Sequence, residues 1–220
     1  MTHAPDASAE APVFSDAFRA GLAALFRWRR DVRRFRRDPL PPGALDALLA
    51  EAATAPSVGL SEPWRFVRVE SEKARAAVRA EFARCNAAAL AGRSGDDAAL
   101  YAALKLEGLD CAPVQLAAFC DEETDQGRRL GAETMPETRR YSVVCAVSHL
   151  WLAARAAGIG VGWVSILDPE RVRAALGAPD GWRLIAYLCI GWPEAEAETP
   201  ELERAGWERR RGLAGKVATA

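Results

Sequence analysis

Apolar residues recur at helical spacing near the start of the chain, where Phe18, Leu22, Leu25 and Phe26 share one side of a stretch opened by Phe14-Ser15-Asp16. The pattern predicts a helix with one buried face that ends near Trp28. Residues 27 to 38 are dense in arginine and are closed by Pro39, Pro41 and Pro42, which forbid continued helix and preset the start of the next one. A second helix is expected over residues 42 to 53. The breaker-rich run Ala55-Pro56-Ser57-Val58-Gly59-Leu60-Ser61-Glu62-Pro63 then reads as a loop feeding a strand at 64 to 69.

Two alanine-rich helices are expected at 72 to 91 and 96 to 107, split by Gly92-Arg93-Ser94-Gly95, and this middle region is a candidate lid. A buried strand covers 113 to 120 and a long polar loop 121 to 135. The most apolar helix follows Pro136 and stops at Gly158; being apolar nearly all round, it belongs in the core. A strand at 161 to 167, a short helix capped by Asp168-Pro169 and ending at Gly177, and a strand at 184 to 190 complete the pattern. From Trp192 the chain is rich in proline and charge, with little to bury, and is expected to be an extended arm over about 192–220. Four or so strands interleaved with long helices predict an α+β or α/β domain at 14–220, after a disordered leader at 1–13, and the arm implies a partner subunit.

The chain has 220 residues, half of them apolar, enough for one domain with a sizeable core. Its 29 basic and 30 acidic side chains leave a net charge of -1, so neither nucleic acid nor an anionic membrane is an expected partner, and any anion site must be local. No stretch reads as a secretion signal or reaches the roughly 20 apolar residues of a membrane span. Cys85, Cys111, Cys120, Cys145 and Cys189 lie far apart and read as reduced thiols of a cytoplasmic protein. His3 and His149 form no cluster of metal-ligand spacing, so no metal is expected.

Arg29-Arg30-Asp31-Val32-Arg33 is the densest chemical motif. If the first helix continues, two of its guanidinium groups lie on one face, a fork that matches a phosphate or the polar edge of a ring. On the pattern alone, a solvated basic turn paired with Asp31 and Asp38 is the simpler reading. Gly158, Gly160 and Gly162 precede a strand and so do not form a dinucleotide loop; they suit either close backbone approach to a planar ring or a tight helix–strand turn. Ser165 on an apolar strand is by default a satisfied core hydroxyl, and Trp163, Trp182, Trp192 and Trp207 read as core and interface anchors.

The arginine motif after a first helix, followed by the 55–63 loop and Trp64, resembles the paired FMN signatures of the nitroreductase family. An acid at position 31, where many relatives carry serine or threonine, and Val58-Gly59-Leu60-Ser61 before Pro63-Trp64 are similar to its 5,6-dimethylbenzimidazole synthase branch. So are Thr134-Met135-Pro136-Glu137-Thr138, the run from Gly158 to Pro169, and Glu201-Leu202-Glu203-Arg204-Ala205-Gly206-Trp207. One departure is Glu62, where glutamine is expected, replacing an amide donor with an acceptor.

The resemblance implies an α+β nitroreductase-like fold, a central mixed β-sheet flanked by helices, in a homodimer with swapped arms. It implies an oxidoreductase that takes reduced FMN and dioxygen to 5,6-dimethylbenzimidazole, the lower ligand of cobalamin, and erythrose 4-phosphate. NAD(P)H would serve as an indirect electron source through a separate flavin reductase. FMN contacts would come from Arg29, Arg30, Asp31, Val32, Arg33, Ser57, Gly59 and Ser165, some across the dimer. Asp31, kept ionised by its arginines, would be the catalytic base, and Ser165 would hydrogen-bond near the reacting face of the ring. An ordinary NAD(P)H-dependent FMN nitroreductase or dehalogenase is the alternative.

Overall fold

In the computed structural model, which describes residues 11–104 and 107–219, helix α1 (Asp16–Trp28) begins where the Ser15 hydroxyl accepts the Phe18 N–H at 3.1 Å. Most of the expected leader, residues 1–10, lies outside the described residues. After α2 (Ala44–Ala52) and a short 3-10 turn at Val58–Leu60 come β1 (Trp64–Arg68), α3 (Glu72–Ala91), α4 (Gly95–Ala103), α5 (Gly108–Cys111) and β2 (Val114–Asp121). A second 3-10 turn at Gln126–Arg129 leads into α6 (Thr138–Ala156), β3 (Gly160–Val164), α7 (Pro169–Ala175), β4 (Trp182–Gly191) and α8 (Glu201–Arg204). Aspartate 168 caps α7, its carboxylate accepting the N–H groups of Glu170 and Arg171.

The strands form one sheet in the order β1-β2-β4-β3. Every strand pair is antiparallel, which corrects the expected mixed sheet. The sheet is covered on both sides, and this is why residues 116–120 of β2 and 184–190 of β4 read as unbroken apolar runs. Leu116, Ala118, Ala186, Leu188 and Ile190 face α2 and α6, whereas Ala117, Phe119, Tyr187 and Cys189 share a second cluster with Val78 of α3, Leu109 of α5 and Val172 of α7. A bulge between Ala118 and Phe119 shifts the β2–β4 register.

Three expectations change here. Strand β3 stops at Val164 rather than continuing to 167, because the chain leaves the sheet edge to seat α7 against β4; Ser165 is therefore exposed just past the strand end. Helix α6 is not wholly core: Val143, Ala146, Val147 and Leu150 are buried, but Tyr141 and Val144 are 56% and 41% exposed. Helix α1 buries no residue at all, and Phe18 and Phe26 are about half exposed at 49% and 53%. The arm also differs from the expected unsupported segment. Pro193 bridges Phe35, the Glu194 N–H donates to the Arg34 carbonyl (3.2 Å), and Arg155 grips Glu196 through two bonds of 2.6 and 2.8 Å. Up to Trp207 the arm lies on the body of the same chain; only the described stretch after it is fully exposed.

The segment after α1 docks on the free edge of β3. Its Val32 N–H donates to the Val161 carbonyl at 3.0 Å, and Asp31 bridges Val161 in parallel sense. Contact is so close that a Cβ on Gly162 would lie 2.1 Å from the Val32 oxygen, and one on Gly160 2.9 Å from the Val32 side chain. Glycine at these positions thus serves backbone approach by residue 32. Gly162→Ala is expected to lower unfolding free energy by about 1–3 kcal/mol or more, as overpacking does, measured by denaturant titration; a variant as stable as wild type would show that this docking is slack.

Candidate active site

Helix α1 ends at Trp28, and Arg29 is already extended (φ -66°, ψ 120°). The four-residue spacing of Arg29 and Arg33 therefore does not place them on a helix face; in extended chain it is the alternation Arg29, Asp31, Arg33 that shares a side. On the other side, Val32 turns onto the β3 glycines, a packing role. One carboxylate oxygen of Asp31 accepts the Trp163 N–H at 2.8 Å, continuing the parallel pairing through a side chain. The other lies 3.8 Å from Arg33 Nε.

Asp31 departs from expectation in its ionisation. Burial pushes its carboxyl above the usual carboxylate range and outweighs the Trp163 N–H and the charges of Arg33 and Arg29, which favour the ionised form. The arginines were expected to dominate; they only limit the rise.

Around Asp31 is a cavity of about 170 Å³ lined by Arg29, Arg30, Arg33, Arg210, Glu201, Pro200 and Leu202. Four guanidinium groups face two carboxylates, so the lining is cationic. Arg29 stacks over Trp151 at 4.9 Å, and Trp151 in turn packs on Trp163. The Arg33 side chain is only 10% exposed. Arg30 is a strap as much as a ligand, since it donates to the carbonyls of Arg27, Arg29 (2.6 Å) and Glu198 (2.7 Å). Burial lowers the proton affinity of both Arg29 and Arg30, and the positive charge of Arg210 lowers it further. Such a lining suits an anion carrying more than one charge.

Ser57 and Gly59 lie elsewhere. The Ser57 hydroxyl accepts the Glu62 N–H (3.1 Å), Ser142 accepts the Val58 N–H (3.0 Å), and the loop packs against the 126–131 turn. A Cβ on Gly127 would meet the Gly59 oxygen at 2.4 Å. Leu60, Glu62, Arg128 and Arg129 all hold positive φ, a strained backbone in two interlocked loops. Glu62 accepts from the Gln126 amide at 3.2 Å, so its carboxylate has a donor of its own. Gly59, Leu60, Arg128, Arg129 and Leu130 border a second cavity of about 700 Å³ that shares no lining residue with the Asp31 cavity. Ser165 lines neither.

The profile described as the Nitroreductase family matches residues 26–192. This chain belongs to the nitroreductase family. It is 60% identical over 200 residues to the 5,6-dimethylbenzimidazole synthase of Rhodospirillum rubrum, covering 91% of this chain and 95% of that one. Identity to the protein of the same name from Rhodobacter capsulatus is 47% over 195 residues, with 89% and 94% covered. Among solved structures, an iodotyrosine deiodinase bound to FMN and 3-iodo-L-tyrosine superposes with a TM-score of 0.68 at 27% identity, covering 80% of this chain and 91% of that one.

Within this nitroreductase-family chain, the site residues missed from sequence are Arg210, Glu201 and Trp151. Arg210 was visible only as a charge in a proline-rich arm and Glu201 only as part of a motif similar to the synthase branch, and nothing local says that the arm returns to residues 29–33. The ionisation of Asp31 gives a test. A carboxyl with a raised folded-state pKa stabilises the fold most when protonated, and that contribution is lost as pH rises through the raised value. Asp31→Asn keeps an acceptor for the Trp163 N–H without the half-buried charge. The variant should be more stable than wild type at pH 7, with the gap closing as pH falls into the ordinary carboxylate range. Denaturant titrations across pH measure this, and an Asn variant less stable at pH 7 would refute the dominance of burial.

Proposed function

We propose that this chain converts reduced FMN and dioxygen to 5,6-dimethylbenzimidazole and erythrose 4-phosphate. The observation that carries the reading is a carboxylate with raised proton affinity inside a predominantly cationic cavity, in a chain 60% identical to a 5,6-dimethylbenzimidazole synthase. The donor set fits FMN: Arg29, Arg33 and Arg210 offer a phosphate group charge-assisted hydrogen bonds, and Arg30 fixes the turn that presents them. Bound reduced FMN supplies the electrons for dioxygen and the carbon skeleton of the product.

Beyond electron transfer, breaking the ring from its ribityl chain demands proton removal. Asp31 is the proposed base at the ribityl carbon next to the ring. Burial raises its pKa toward the working pH, as a general base requires, while Arg29 and Arg33 keep the ionised form accessible. Ser165, exposed two residues beyond the backbone N–H that Asp31 accepts, is proposed to hydrogen-bond to the ring.

We further infer a homodimer. Gly59 lines a cavity separate from that of Asp31, and Ser57 sits in the same loop as Gly59, so a second copy is what would bring both groups to one flavin. The half-exposed phenylalanines of α1 and the open face of α6 at Tyr141 and Val144 offer the apolar surface for it. Electrons would arrive as reduced FMN from a separate flavin reductase drawing on NAD(P)H. Five free cysteines suit the reducing cytoplasm.

The likeness to an iodotyrosine deiodinase favours a second reading, in which FMN is recycled by NAD(P)H. Mass analysis of products from reduced FMN in air separates the two. Wild type should yield benzimidazole and consume the ring; Asp31→Asn should bind FMN but lose product formation by about 100- to 10,000-fold, returning oxidised FMN. Benzimidazole at a near-normal rate from Asp31→Asn would remove Asp31 as base, and intact FMN from wild type would establish the recycling reading. Arg33→Ala should weaken FMN binding by about 1.5–3 kcal/mol in a fluorescence titration, and sedimentation should show a dimer whose dissociation abolishes flavin affinity.

A further inference from the structure

Arg210 presents a physical problem. It is exposed, makes no hydrogen bond or ion pair among the described residues, and lies beside Arg29 and Arg30, which repel it. An exposed arginine under repulsion swings out into water unless the chain near it is anchored. The anchor is three residues earlier.

Helix α8 ends in a paired motif: Gly206, left-handed at φ 78°, donates its N–H to the Glu203 carbonyl (3.1 Å), and the Trp207 N–H donates to Leu202 (2.9 Å). This termination turns the Trp207 indole toward the corner between α3 and α4. There the Arg93 guanidinium lies 4.5 Å from the Tyr101 ring centre and 5.1 Å from that of Trp207, and the two rings are 6.2 Å apart. Tyr101 is tied to α3 by donating to the Asn86 side-chain oxygen at 3.0 Å, and Arg93 pairs with Asp97 at 2.6 Å. Arg93 Nε is buried with no hydrogen-bond partner, so besides the Asp97 pair it is the aromatic faces that this guanidinium has gained.

We propose that Trp207 is a positioning residue: clamped by Arg93 and Tyr101, it holds Arg210 at the cationic cavity, so that gripping a phosphate and fixing the α3–α4 corner become one event. Three residues reach at most about 10–11 Å, and with Trp207 seated Arg210 stays within range of the phosphate. An arriving phosphate converts the repulsion among Arg29, Arg30 and Arg210 into attraction, and the tension on the arm is passed to Arg93 and Tyr101. The inference rests on the FMN reading.

The test compares FMN with riboflavin, which has the same ring and no phosphate, by fluorescence titration of the flavin-free protein. Trp207→Ala should weaken FMN roughly tenfold, the value of one charge-assisted hydrogen bond, and leave riboflavin unchanged. Trp207→Phe should retain most of the FMN preference, Arg93→Ala should lose it, and Trp207→Ala should add nothing in an Arg210→Ala background. Amide exchange should show FMN protecting residues 92–95 in wild type and not in Trp207→Ala. Equal losses for both flavins, or additive effects of Trp207→Ala and Arg210→Ala, would overturn the proposal while the FMN reading stands. A wild type that binds the two flavins alike would overturn the phosphate assignment beneath it as well.

Discussion

Everything in the site depends on how closely the chain after α1 approaches the edge of β3. Gly160 and Gly162 remove the two side chains that would keep Val32 away, and the Val32 N–H then completes a bond to Val161. Once that contact is made, alternation in an extended chain leaves no freedom. Val32 must face the sheet, and Arg29, Asp31 and Arg33 must face the cavity. Asp31 contributes to its own placement by taking the Trp163 N–H that would otherwise be left unpaired at a sheet edge.

The electrostatics follow from this packing. Cations crowd the lining because the arm returns across residues 30–34, tied by backbone bonds to Arg34 and Arg36 and by Arg30 reaching Glu198. Their charges act on Asp31, yet burial has the larger effect on it. Burial raises the proton affinity of this carboxylate while the Trp163 N–H and the nearby guanidinium groups lower it, so its ionisation is set by opposing influences of the fold. The strain in the 59–62 and 127–129 loops lies apart from this charge cluster, so the chain divides electrostatics and loop geometry between two cavities.

Much of the fold was legible in the sequence because its signals are local. Ser15, Asp168-Pro169 and Gly158 mark helix ends through hydrogen bonds and φ preferences that act within a few residues, and the apolar runs at 113–120 and 184–190 read as strands, which the sheet bears out as β2 and β4. The residues Arg29, Asp31 and Arg33 were likewise picked out as chemistry-bearing, since charge of that density next to a helix end has to be used or solvated.

What only the tertiary structure decided concerns contacts between distant segments. Glycines 160 and 162 were seen in the sequence, but whether they made room for a ring or for a turn depended on what came against them, and it was the backbone of Val32. Arg29 and Arg33 would have shared a helix face only if the first helix continued; it stops at Trp28, and from Asp31 the chain pairs with β3. Arg210 gained a place in the site through an arm that pattern alone left with nothing to lie on. Asp31 was expected to obey its neighbouring charges. Burial outweighed them, and burial is a property of the whole fold: Trp163, Glu201 and Arg210 come to this carboxylate from more than a hundred positions away and join its sequence neighbours around it.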